Sequence, residues 1–346
     1  MRNYLVLTGF LIGVSVGVIL VGQQIVVAYG NAIHAELEAK LLALEVGQAQ
    51  ALRAQTADLI LTGDIMLSRA VGGKMSQAND FSFPFLKVAE ELKKADLVFG
   101  NLEGPISSGG KNQGSQYSFR ADPLVAGGLV YAGYNVLSVA NNHMLDYGLV
   151  ALKDTLNILK ENNIMPVGAG ENSAVANELY VKEINNNKIG FLAYTNLYPK
   201  SFEAGKSSAG ISSFNLTKVS EKIRQAKASS TADIILVSMH WGEEYAVVPN
   251  SAQEKLARQL VDAGADVVVG HHPHVVQNME EYKNGLIFYS LGNFIFDQSF
   301  SAETMSGYLV KIKAVSGKIK EWEVLETKIN TDFQVEITRS IGSGQK

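Results

Sequence analysis

The chain contains no cysteine. That excludes a disulfide framework, a thiolate zinc site, a cysteine nucleophile and lipid attachment at an N-terminal cysteine. It also lacks a basic excess: 30 Lys and Arg stand against 34 Asp and Glu, a net charge of −4. No electrostatic footprint for nucleic acid follows from that balance. Charged residues are scarce, 18% of 346 against 47% hydrophobic, which excludes a wholly disordered chain. With thiols absent, any metal must sit on His, Asp, Glu or Asn, and there are only six histidines.

Charge is missing altogether between Arg2 and Glu36. Tyr4 to Ala28 is apolar, broken only by Thr8, glycines, Ser15 and the pair Gln23–Gln24. A spanning helix needs about 20 such residues, whereas a secretory signal carries an apolar region of about 7–15. Residues 1–30 are therefore expected to be an uncleaved transmembrane signal-anchor; cleavage after Gly30, with Ala28 three residues before the cut, is the alternative. Arg2 and the terminal amine precede the span, and Glu36, Glu38 and Lys40 follow it; the clear positive bias is on the N-terminal side, which predicts the N-terminus inside and the C-terminus outside. The expectation is a single-pass protein of the cell membrane with its C-terminal domain extracytoplasmic. Residues 31–56, with Leu37, Leu41, Leu44 and Leu52 at helical spacing, predict a helical stalk.

From Ala57 short β-type runs alternate with helical segments, the signature of an α/β domain. The predicted strands include Leu59–Thr62, Leu97–Phe99, Val136–Val139, Ile234–Met239 and Val267–Val269. The predicted helices are Pro84–Lys94, Leu124–Ala132, Leu149–Asn162, Leu216–Ser229 and Ala252–Ala263. Asn185–Asn187 reads as a hairpin turn. The main domain is taken as residues 57–300. Beyond it, residues 301–346 read as a C-terminal β extension with a frayed tail from Gly342.

The metal-capable residues share one position, just beyond the carboxyl end of a predicted strand. These are Asp64; Asn101 and Glu103; Asn141, Asn142 and His143; His240; His271, His272 and His274; and Asn293. Ligands of open α/β sheets bind at such strand ends, so six ends of this kind point to one convergent site. Carboxylate, neutral imidazole and amide oxygen suit Mn, Zn or Fe. One or two divalent ions there would suit in-line displacement at phosphorus. Trp241 is a candidate wall of the pocket, and Glu244 a candidate for substrate or for a histidine N–H. His271, Asn101, Asn141 and Asn293 are further candidates for substrate or supporting contacts. Arg120 is a weaker candidate for an anionic substrate.

In order along the chain, Gly63–Asp64–Ile65–Met66–Leu67, Gly100–Asn101–Leu102–Glu103–Gly104–Pro105, Ala140–Asn141–Asn142–His143, His240–Trp241–Gly242–Glu243–Glu244–Tyr245, Gly270–His271–His272–Pro273–His274 and Ser290–Leu291–Gly292–Asn293–Phe294 resemble the bacterial capsule-synthesis CapA family, also called the poly-γ-glutamate synthesis family. That family in turn resembles calcineurin-like metallophosphoesterases. The resemblance implies a four-layer α-β-β-α sandwich of two mixed sheets between helices. It implies that Asp64, Asn142, His240, His272 and His274 hold metal, and that His143 serves the leaving group. The phosphoesterase pattern has a histidine two residues beyond its first Asp, where this chain has Met66. It has a bridging Asp where this chain has Asn101, and Glu103 is the nearest carboxylate. The implied role is a membrane-anchored, metal-dependent hydrolase of capsule or poly-γ-glutamate synthesis. Its substrate would be a phosphorylated compound or an anionic surface polymer, with polymer synthase subunits as partners and nucleic acid excluded. The alternative is a non-catalytic accessory subunit of a synthase or export complex that binds metal or polymer.

Overall fold

The computed structural model describes residues 2–346, with side chains at position 5 and from position 8 onward. It comprises two compact units, residues 1–54 and 55–346. The first is one helix, α1 (Arg2–Arg53), of 52 residues. At 1.5 Å per residue such a helix rises about 78 Å, against about 30 Å for the hydrocarbon core of a bilayer. Its apolar side chains, such as Phe10, Ile19 and Val26, are exposed. By length and composition it is apolar enough to cross a membrane. The terminal amine and the Arg2 side chain, on which the expected orientation rests, lie outside the described residues.

The second unit is a four-layer α-β-β-α sandwich. In the first sheet β1 (Thr56–Ile65), β2 (Leu97–Leu102), β3 (Tyr134–Ser138) and β4 (Met165–Val167) run parallel, joined by α2 (Arg69–Ala78), α3 (Ala89–Leu92), α4 (Val125–Ala132) and α5 (Gly148–Glu161). A two-stranded patch, β5 (Ala169–Gly170) with β8 (Gly210–Ile211), and the short α6 (Ser173–Ala176) follow. The second sheet holds β6 (Tyr180–Ile184), β7 (Asn187–Thr195), β9 (Ile234–His240), β10 (Val267–His271), β11 (Met279–Tyr282) and β12 (Gly285–Phe288), with α7 (Leu216–Ala228) and α8 (Ser251–Asp262) on its outer face. The chain then returns to the first sheet. There β13 (Asn293–Ile295) pairs with β1, and β14 (Ser306–Val315), β15 (Lys318–Ile329) and β16 (Val335–Gln345) extend the sheet beyond it.

Alternation along the strands builds the layers. Leu59 and Leu61 of β1 face Phe191 and Leu236 of the other sheet, while Ile60 faces Val71 and Leu129 of the helices. Leu236 of β9 points between the sheets, and Ile235 and Val237 point to α7 and α8. Strands buried on both faces are apolar throughout, which is why these runs stand out in the sequence.

Several expectations are corrected. Pro84–Lys94 is not one helix: a 3₁₀ turn over Phe83–Phe85 precedes the four-residue α3. Phe85 and Val88, three apart, both turn into the core, a spacing that eclipses in 3₁₀ geometry. The tail is not frayed: Gly342–Gln345 pairs with β15, and Lys346 donates its backbone N–H to Lys320. The turn at Asn185 and Asn186 is found, both residues at positive φ, 48° and 62°, as a two-residue hairpin of this hand requires.

Candidate metal centre

Register sets the site. Asp64 at the end of β1 lies level with Asn101 of β2 and Asn293 of β13, while His240 of β9 lies level with His271 of β10. The parallel strands of both sheets thus deliver their polar ends to one place. Close backbone approach makes this fit. A Cβ on Gly63 would meet the Gly292 carbonyl oxygen at 2.0 Å, and one on Gly270 the Tyr289 carbonyl oxygen at 1.9 Å. After β10 the chain turns sharply, with His272 and His274 at φ 96° and 58°. Neither is a glycine, so the backbone strain is held in place by the surrounding packing.

The carboxylates are knitted by amides. Asn101 donates through Nδ2 to Asp64 Oδ1 at 2.8 Å and to Glu103 Oε2 at 2.5 Å. Its own oxygen accepts from Asn141 Nδ2 at 3.1 Å. Asp64 Oδ2 accepts the backbone N–H of His272 at 3.2 Å. Around them, His271 Nδ1 lies 3.3 Å from Asp64 Oδ1 and His274 Nδ1 lies 3.4 Å from Oδ2. Glu103 Oε1 lies 3.6 Å from His240 Nε2 and 4.0 Å from His143 Nε2. Two triads have ligand atoms close enough to share an ion, Asp64 with Glu103 and His240, and Glu244 with His272 and His274.

Electrostatics separates these groups. Burial, then the charge of Asp64, pushes Glu103 well above the usual carboxylate range. Burial opposes ionisation of Asp64 as well, but the imidazoles of His271 and His274 outweigh it and hold Asp64 well below that range. Burial and neighbouring imidazoles push His240 well down and His272 to about 3. Both are therefore neutral near pH 7, the form that binds metal.

The donor set fits a divalent ion. Glu103 Oε1, both ring nitrogens of His271 and His272 Nδ1 are buried without a hydrogen-bond partner. Buried polar groups in folded proteins are nearly always paired, so four orphans in one cluster of carboxylates and imidazoles point to a cation.

Second contacts orient these side chains. His274 Nδ1–H donates to Asn293 Oδ1 at 3.0 Å, and Asn293 is held in turn by Gln298 and the Thr304 carbonyl. His240 Nε2 lies 2.7 Å from Asn142 Oδ1. His143 Nδ1–H donates to Asp146 Oδ2 at 2.8 Å. Asp146 escaped the sequence reading, although it stands three residues after His143; only its carboxylate contact, invisible in a strand pattern, distinguishes it. Trp241 is not brought to the carboxylates. Its indole donates to the Tyr289 carbonyl at 2.9 Å and packs towards α7 and α8. Met66 is buried, its sulfur accepting from Ser68. Arg120 is occupied with the Gly109 carbonyl and the Tyr147 ring.

The family model described as bacterial capsule synthesis protein PGA_cap matches residues 58–298. The capsule biosynthesis protein CapA of Bacillus anthracis is 38% identical over 251 residues, 70% of this chain and 60% of that protein. The PGA biosynthesis protein CapA of Bacillus subtilis is 36% identical over 242 residues, 69% of this chain and 63% of that protein. The match spans less than two thirds of either relative's length. Among solved structures, a Haemophilus influenzae NAD nucleotidase aligns with a TM-score of 0.43 at 11% identity, over 82% of this chain and 49% of that one.

Proposed function

The chain belongs to the bacterial capsule synthesis family, and from that membership we propose that it is a membrane-anchored, extracytoplasmic, metal-dependent hydrolase of capsule or poly-γ-glutamate synthesis. Residues 1–30 are the single span and 31–56 the stalk; 57–300 is the catalytic domain, and 301–346 extends its first sheet. One observation carries the reading: the four partnerless polar atoms of Glu103, His271 and His272 within one buried cluster.

In this reading Asp64, Glu103, Asn142, His240, His272 and His274 hold one or two divalent ions, Mn, Zn or Fe. Such an ion supplies Lewis-acid polarisation of a phosphoryl or acyl oxygen. Asp64 and Glu103 supply the negative charge that keeps the cation in place. Asn101 fixes their spacing by donating to both. His143 is the proton donor to the leaving group: Asp146 engages Nδ1, and Nε2 faces Glu103 across 4.0 Å. The substrate is a phosphoester or a bond of an anionic surface polymer, delivered beside polymer synthase subunits.

A specific observation favours a second reading. Asn101 offers its N–H groups, not its oxygen, to Asp64 and Glu103, so the position of a bridging carboxylate is filled by a donor. A non-catalytic accessory subunit that binds metal or polymer could tolerate this. The test uses the full chain in detergent, loaded in turn with Mn, Zn and Fe and assayed on a phosphodiester and on γ-linked glutamate oligomers. The hydrolase reading expects turnover that His143→Ala lowers by about 100-fold or more at unchanged metal content. Bound metal without turnover on either substrate favours the accessory subunit.

A further inference from the structure

The cation placed to meet an anionic substrate is Arg69, the first residue of α2, since Arg120 is engaged elsewhere. Its guanidinium carbon lies 5.4 Å from the centre of the Phe119 ring, and that ring lies 4.2 Å from His143. On the other side Arg69 Nη2 lies 3.2 Å from Asp297 Oδ1. Asp297 directly follows Phe296, whose ring lies 4.8 Å from His274. Arg69 is therefore fixed between the His143 flank and the His274 flank of the cluster.

The construction of this arginine is unusual. Its backbone sits at φ 52°, a region that residues other than glycine, Asn and Asp rarely enter. Asp297 stabilises that turn by accepting the next backbone N–H, from Ala70, at 3.1 Å through its other oxygen. The Asp297 side chain is 4% exposed and that of Arg69 40%. A buried carboxylate thus lies against one edge of a planar, five-donor fork as an ion pair and leaves much of the rest open to solvent.

We propose that Arg69 is the anion-binding residue of the site, taking an oxyanion group of the substrate, phosphate or carboxylate, in the fork that Phe119 and Asp297 hold beside the histidines. This rests on the reading of the buried cluster as a metal centre. A fork of this kind suits either anion bidentately.

The experiment is calorimetric titration of the metal-loaded full chain with inorganic phosphate and, separately, with glutarate, for the wild type, Arg69→Gln and Arg69→Lys. Metal content is measured on the same samples and reports on the metal reading alone. Arg69→Gln is expected to weaken binding of the preferred anion by about tenfold or more at unchanged metal content. Arg69→Lys, which keeps the charge and loses the fork, is expected to fall between. Tighter phosphate binding marks a phosphoryl substrate, and tighter glutarate binding marks a carboxylate polymer. Wild-type affinity in Arg69→Gln, or no binding of either anion by the metal-loaded wild type, overturns the assignment.

Discussion

The two sheets contribute unlike chemistry to one site. The first sheet brings oxygen and amide groups, Asp64, Asn101, Glu103, Asn141 and Asn293, and most of these pair with one another. The second brings nitrogen, His240, His271, His272 and His274, of which His271 has no partner at either ring atom. The oxygen half is a paired network apart from Glu103 Oε1, and it carries the ionised Asp64. The nitrogen half is a set of imidazole rings left incomplete. The difference teaches that packing satisfies most of the first half, Glu103 Oε1 excepted, while the second is completed by something that accepts nitrogen lone pairs. The proposed cation answers both needs, charge for one half and coordination for the other.

The largest expected effect comes from breaking the oxygen half. Asp64→Ala removes a proposed ligand and leaves the Asn101 amide and the His272 backbone N–H without their acceptor. It is expected to abolish metal binding, and, with Asn101 still donating to Glu103 but one of its N–H groups and the His272 N–H unpaired, to destabilise the metal-free chain by about 1–3 kcal/mol. Metal analysis and denaturant unfolding of the same preparation check both parts.

Much of this arrangement is legible in the sequence because strands buried on both faces leave continuous apolar runs, and each run ends in a polar residue. The strand ends at Asp64, His240 and His271 are visible for that reason. Other parts are not. Helix α2 carries Gly72 and Gly73, whose propensity argues against a helix; burial of Val71 and Met75 overrides it. The roles of Asp146 and Arg69 depend on partners 3 and 228 positions away in the chain, which no local pattern displays. Asn101 is visible as a residue, but the direction of its amide is set only by the two carboxylates that accept from it.

A smaller effect should follow from loosening the orientation of one ligand. Asn293→Ala leaves His274 without the oxygen that fixes its Nδ1–H. Metal affinity is expected to fall by about 10- to 100-fold, measured by competition with a chelator, while the fold is kept.

The smallest effect has the opposite sign. His271→Leu replaces a buried ring that has no hydrogen-bond partner by an apolar side chain on the nitrogen half, and gives up its 3.3 Å approach to Asp64. It is expected to stabilise the metal-free chain by about 1 kcal/mol, read from the denaturant midpoint after chelation. Destabilisation of similar size would mean that the nitrogen half is completed by the protein itself, and the contrast between the halves would fail.

The most direct measurement is the metal content of the purified full chain after dialysis against Mn, Zn or Fe, alongside its Asp64→Ala, His272→Ala double variant. The account predicts one or two ions per wild-type chain for at least one of these metals and none in the variant. A folded wild-type chain that retains no ion, or a double variant that retains as much as the wild type, would contradict it.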